Sequence, residues 1–418
     1  MPAVTTLADA VRARIGASLA ATDAELARRY PGEPAVRQPV HTVYVPAGAF
    51  TPTTTREWGA AALGALDAHA PDAQALGAAL GLDAVHAGEI HDRVRAKLRA
   101  EPVEDLRIDF EDGYGRRPDA EEDAAALAAA RAVAAAAADG TAPPCVGIRV
   151  KGMEADVRDR GIRTLDLFLT ALLDAGPLPT GLVLTLPKVT FPAQAAAMAE
   201  VCAQFEQAAG LPAGRLGFEI QIETTQAVVG PDGTATVPRL LEAAGGRVTA
   251  LHYGTFDYSA ACGVSAAHQS PDHPAADHAK AVMQAAAAGT GVRLSDGSTN
   301  VLPVGTAAQV RTAWRHHYGL VRRSLARAYY QGWDMHPGHL VSRYAATYAF
   351  YREGLDAAAA RLAAYTAGVS GGVLDEPATA RALSGHLLRG LDCGAVDLAE
   401  VTGRTGLARV DLDALAGR

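Results

Sequence analysis

Eight short runs of strand-forming residues, each followed by a helical stretch, constrain this chain more than any other feature. They read HTVYVP (41–46), LRIDF (106–110), CVGIRV (145–150), GLVLTLPK (181–188), LGFEIQIET (216–224), VTALHYGT (248–255), GVRLSD (291–296) and GWDMHP (332–337). β-Branched and aromatic residues fill most of them, and Gly, Pro or charged residues stop them. Helical periodicity occupies the intervals, most clearly in the alanine-rich stretch at 119–138. Strands separated by helices pair in parallel, and eight of them predict a closed (β/α)8 TIM barrel rather than an open doubly wound sheet. The seventh run is the weakest of the set.

An amphipathic helix is expected at 5–29. The predicted organisation is an N-terminal helical segment over 1–38, a catalytic barrel over 39–350 and a C-terminal helical extension over 351–418, with GVSGGV (368–373) as its hinge. A net charge of −8 disfavours a nucleic-acid partner. No apolar stretch reaches the roughly 18 residues that a membrane helix needs. Residues 1–30 carry Asp9, Arg12, Arg14, Asp23 and Glu25 at helical spacing, unlike a signal peptide. The four cysteines are far apart and form no CxxC, which suits free thiols in a reducing compartment. A cytoplasmic enzyme without nucleic-acid or membrane partners is the expectation.

Barrel enzymes carry their chemistry on the loops that follow the strands. The second run here is followed by Asp109, Glu111 and Asp112, and the third ends at Arg149 with Lys151 behind it. The fourth ends in Lys188, and the fifth in Glu223 after Glu219 and Gln221. Asp257 follows the sixth, while Asp334 and His336 accompany the eighth. All of these are expected on one rim. Glu223 and Asp257 are hard oxygen donors suited to Mg2+, with positions left for water and a chelating substrate. Arg149 is suited to bidentate capture of a carboxylate, or to pairing with Asp109 or Glu111. Asp112 reads equally as a turn cap, Lys188 as a structural cation, and His336 as a packed, hydrogen-bonded residue. His268, His273 and His278 are spaced by five with a proline between, so they share no helix face for zinc. Tyr344, Tyr348 and Tyr351 form a helical stripe that predicts core or subunit interface.

The stretches DFED, GIRVKG, LPKV, QIET, GTFDYSAACG and MHPGHLV appear in the order seen in the citrate lyase β-subunit/HpcH-HpaI aldolase superfamily, which includes malyl-CoA lyase and malate synthase relatives. The resemblance spans about residues 41–380. It implies metal ligands at Glu223 and Asp257 for Mg2+, with Mn2+ as the alternative. It also implies a substrate-binding Arg149, with substrate contacts at Gly254, Thr255 and Phe256. Glu111 is implied as a catalytic neighbour that orders metal waters, with Asp109, Asp112, Lys188 and His336 around it. VLDEPATARAL (373–383) resembles the segment that supplies the catalytic acid/base, at Asp375 or, one register away, Glu376. Asp375 reads also as a helix N-cap. Lyase relatives often reach this group across a subunit boundary, so a homo-oligomer is implied. Lyases acting on CoA thioesters usually carry an Arg-Ser pair where Val40-His41 stands, which leaves a CoA thioester or a free carboxylate as the substrate. The implied function is a metal-dependent carbon–carbon lyase or aldolase that cleaves a hydroxy acid or its CoA thioester through a stabilised enolate. A malate-synthase-like Claisen condensation of an acyl-CoA with a 2-oxo acid is the alternative. A binding barrel without catalysis is the third reading.

Overall fold

The computed structural model describes residues 6–368 and 376–418. Its centre is a closed barrel of parallel strands in sequential order: β1 (Thr42–Pro46), β2 (Asp105–Asp109), β3 (Cys145–Arg149), β4 (Leu182–Leu186), β5 (Phe218–Ile222), β6 (Val248–Tyr253), β7 (Arg293–Asp296) and β8 (Gln331–Asp334). β8 closes onto β1, with Thr42 opposite Trp333. The predicted barrel is present, and every one of the eight runs supplies a strand. The weak seventh run forms the four-residue strand β7, as short as β8.

Alternation along each strand sorts its side chains. Val43, Val45, Leu106, Ile108, Ile148, Leu184, Ile220 and Ile222 are buried in the main apolar core. The residues between them meet across the barrel axis, and many are polar. Arg107, 1% exposed, sits at the centre of the lower interior. Its Nε and Nη2 hold Glu219 at 2.9 and 2.8 Å, and Nη1 and Nη2 also hold Asp105. His252 Nε2 lies 2.9 Å from Glu219, and Thr42 donates to Asp105 at 2.8 Å. Such a buried ionic network is tolerated because each charge is paired and hydrogen-bonded.

Two expectations for the rim are corrected here. Glu219 is not at the rim: four residues before Glu223 on an extended strand, it lies well down in the barrel with Arg107. Asp334 is not there either. Trp333 turns inward onto Tyr44, so alternation sends Asp334 outward, where Arg343 Nη2 (2.8 Å), His317 Nε2 (3.1 Å) and His41 Nδ1 (3.2 Å) surround it. These partners hold its carboxyl well below the usual range against the upward push of burial.

One helix, His339–Thr366, runs from β8 through residue 350 without a break. Its first half buries Leu340, Val341, Tyr344 and Tyr348 in the barrel core, together with Tyr351. The tyrosine stripe is therefore core. Its second half joins the helices Pro377–Asp392, Leu398–Thr405 and Arg409–Ala416 around a separate cluster that includes Leu355, Leu362, Leu388, Val401 and Leu412. The N-terminal helix, Asp9–Arg29, buries none of its residues. Among the described residues no helix is long and apolar enough to cross a membrane.

Candidate active site

The rim at the C-terminal ends of the strands is organised by two cations. Arg149, the last residue of β3, is 3% exposed. Its Nε and Nη2 each contact an oxygen of Asp109 at 2.7 Å, across the β2–β3 pair. Asp109 also accepts from the backbone N–H groups of Glu111 (2.9 Å) and Gly113 (2.8 Å). Both of its oxygens are thus committed, and Asp109 fixes the arginine's plane. Tyr44 and Trp333 pack on the guanidinium, with their ring centroids 4.8 and 5.5 Å from its carbon. Arg149 Nη1 makes only long contacts, 3.3 Å to Gln221 Oε1 and 3.3 Å to Glu111 Oε2. A carboxylate arriving at this edge replaces weak partners with a strong one.

Lys188 is the second cation. It follows β4 in the left-handed region at φ 53°, shared among described non-glycine residues only with Ala328. In this conformation its N–H donates to Glu223 Oε1 at 2.7 Å. Its ammonium lies 2.7 Å from Asp257, 3.0 Å from Asp112 and 3.5 Å from Glu111. Four acids from the ends of β2, β5 and β6 therefore converge on one lysine. Burial pushes the Glu223 carboxyl up to about 7, against the opposing charges of Lys188 and Arg149. Glu111 is pushed up to about 7 as well, again by burial first, and its Oε2 is buried without a hydrogen-bond partner. Burial also raises Asp112, but hydrogen bonds with Glu111 and Lys188 outweigh it and bring Asp112 below its ordinary value.

Gly254 and its neighbours shape the far wall. A Cβ on Gly254 would stand 2.4 Å from Glu223 Cβ and 2.7 Å from its Oε2, so only glycine lets Glu223 lie over the β6 end. Thr255 is buried with its hydroxyl unpartnered, Phe256 is half-buried, and Asp257 lies in the first turn of the helix Thr255–Ala261. His336 is half-buried, and its Nδ1 accepts from Gly338 N–H at 3.0 Å. Burial lowers its pKa, and the ring is locally bonded. Asp375 lies outside the described residues. Glu376 is exposed at the N-cap of the helix Pro377–Asp392 and makes no side-chain cap bond. His268 and His278 are exposed, and His273 Nδ1 caps its own helix at Ala275 N–H.

Among the described residues no three His, Cys, Asp or Glu side chains form a ready metal cage. The donor set nonetheless fits a hard divalent cation held by two carboxylates. Glu223 is a buried carboxyl whose charge burial opposes, with the acid Asp257 and the cations Lys188 and Arg149 around it. A cation there would favour the charged form that burial opposes. Sequence reasoning missed Tyr44 and Trp333 as the seat of Arg149, and it placed Gln221 on the rim without that role. Their signal was available: each occupies an inward register position on β1, β8 or β5.

A family model described as Domain of unknown function (DUF6986) matches residues 19–418. No curated protein matches the sequence. Among solved structures, a citrate lyase from Burkholderia xenovorans LB400 is similar, with a TM-score of 0.56 and 22% identity, over 74% of this chain and 91% of that one. Haloferax volcanii malate synthase is similar at a TM-score of 0.50 and 15% identity, over 75% of this chain and 76% of that one. Its lead(II) complex gives 0.50 and 14%, over 87% and 89%. These likenesses carry the fold, which is the barrel shared by citrate lyase and malate synthase structures. With its family model matched from residue 19 to the last residue, the chain belongs to the DUF6986 family.

Proposed function

We propose that this protein is a divalent-metal-dependent carbon–carbon lyase that cleaves a free hydroxy acid beside a carbonyl-forming carbon. One observation carries the reading: Glu111, Asp112, Glu223 and Asp257 converge on Lys188 beside an arginine whose outer edge is weakly partnered. Glu223 and Asp257 would hold Mg2+ or Mn2+. The metal's contribution, when bound, is electrostatic stabilisation of the enolate charge that develops as the bond breaks.

The chain's own residues supply the rest. Arg149 holds the substrate carboxylate at Nη1, with Asp109, Tyr44 and Trp333 fixing its orientation in advance. Glu111 lies between the two ends of the site, 3.3 Å from Arg149 Nη1 and 3.5 Å from Lys188 Nζ. Gly254, Thr255 and Phe256 form the wall against which the substrate rests. The proton moves through Asp375 or Glu376 in the extension, and a homo-oligomer would bring that segment from a neighbouring copy.

His41 favours a free acid over a CoA thioester. The position where related thioester lyases carry a polar pair is here a fully buried imidazole on Asp334, behind the barrel wall. The alternative use of the same site is a malate-synthase-like Claisen condensation of an acyl-CoA thioester with a 2-oxo acid, and thioester dependence separates the two. The test is an Mg2+- or Mn2+-supplemented screen of 2-hydroxy acids and their CoA thioesters for release of pyruvate, glyoxylate or oxaloacetate. Glu223→Gln is expected to lose at least about a hundredfold in kcat/KM. Turnover indifferent to EDTA, or equal in wild type and Glu223→Gln, would overturn the metal reading.

A further inference from the structure

Resting on that metal reading, we infer that Lys188 is an exchangeable counter-cation: its ammonium occupies the acid cluster in the metal-free protein and yields its place when a divalent cation binds. A single ammonium touches Asp257, Asp112 and Glu111, while its own backbone amide holds Glu223. One ammonium is shared among four acids, so the cluster retains an affinity for further positive charge. A divalent ion satisfies it better than a lysine, because it carries twice the charge and binds oxygens directly.

The two halves of Lys188 are separable. The backbone half is fixed: the left-handed φ of 53° aims the amide at Glu223, and that bond does not depend on the side chain. The ammonium half is free to leave. The side chain is 27% exposed, and its partners Asp112 and Asp257 are themselves 58% and 49% exposed, so the ammonium lies on the solvent side of the cluster. Arg149 could not play this part. It is 3% exposed, fixed to Asp109 by two bonds and pressed by two rings. The rim therefore holds one permanent cation for the substrate carboxylate and one provisional cation for the metal ligands. The provisional one keeps the acids from repelling one another before metal arrives, at the cost of weaker metal binding.

The experiment is calorimetric titration of the metal-stripped full chain with Mn2+ alone, in wild type, Lys188→Met, Lys188→Gln and Arg116→Gln. Arg116 is an exposed arginine, 2.6 Å from Asp156, whose loss tests net charge alone. Both Lys188 variants are expected to bind Mn2+ about tenfold more tightly than wild type, with Arg116→Gln unchanged. Thermal unfolding adds a readout independent of turnover: the Lys188 variants start with a lower metal-free Tm and gain more on adding Mn2+. Equal or weaker Mn2+ binding by folded Lys188 variants would overturn the exchange while leaving the metal site standing. Absence of binding by wild type and both variants would overturn the metal reading, and this inference with it.

Discussion

Gly254 shows how a single missing side chain holds the site together. Its backbone, at φ −98° and ψ 99°, is open to any residue, so the glycine is not there for conformational freedom. It is there because Glu223 occupies the space a Cβ would take. Gly254→Ala is therefore expected to displace the Glu223 carboxylate while leaving the strand able to form. Mn2+ affinity should fall by at least about tenfold, with a stability loss of about 2–3 kcal/mol because the overlap reaches Glu223 Cβ, measured by titration and thermal unfolding. Unchanged affinity in a folded variant would remove Glu223 from the ligand set. Lys188 is the complementary case at the same scale. Its unusual backbone angle has no signature in the letters LPK, since a lysine at a strand end normally reads as a solvated charge.

At the end of the barrel opposite the site, the elements are tied by an ion pair as well as by the strands. Glu206, near the end of the helix Pro192–Ala209, receives Arg247 Nη1 and Nη2 at 2.8 and 2.7 Å and the N–H groups of Leu216 (2.6 Å) and Gly214 (3.0 Å). This one carboxylate joins that helix to the start of β5 and of β6. The Arg247 hydrogen bonds, opposed by burial and aided by the two N–H groups, pull Glu206 from 4.5 down to about 2. A carboxyl depressed in the folded state adds stability above its unfolded value and loses it as pH falls through its folded one. Glu206→Gln should thus cost roughly 2 kcal/mol near neutrality. The Tm gap to wild type should close between pH 4.5 and 2, since those values bound the titration. A gap that stays constant over that range would mean that packing, not charge, holds the joint.

The strands themselves were legible because their signal is local. The alternation in VTALHY and the apolar run in LVLTL mark the strands wherever the chain ends up, and the helix predicted at 119–138 is Asp119–Ala138. What was not legible is what closure brings together. In LRIDF, Arg107 looks like any charged strand residue, yet it is the hub of the interior because Glu219, 112 positions away, faces it across the barrel. Asp334 fails for the same reason. Which face it takes depends on Trp333 packing onto Tyr44 of the first strand, a contact that exists only after the barrel has closed.

At the scale of the whole molecule, the long helix His339–Thr366 decides whether the barrel and the extension are two folding units or one. Its N-terminal half supplies Leu340, Tyr344 and Tyr348 to the barrel core, and its C-terminal half supplies Leu355 and Leu362 to the second cluster. A continuous helix transmits the loss of either half, because its central turns cannot unwind without exposing both sets of side chains. Arg93, on the helix Ala84–Ala100 beside the barrel, adds a direct tie to Asp397 at 2.8 Å and Glu400 at 3.2 Å. Leu388 is fully buried in the second cluster and remote from the rim. Leu388→Ala is expected to cost about 3 kcal/mol through the cavity it leaves. If the shared helix couples the parts, calorimetry will record one unfolding transition moved to lower temperature, with metal affinity at the rim unchanged in the folded protein. A variant whose extension melts early while the barrel keeps its own Tm would show that the helix breaks between its halves, and that the extension can move as a body of its own.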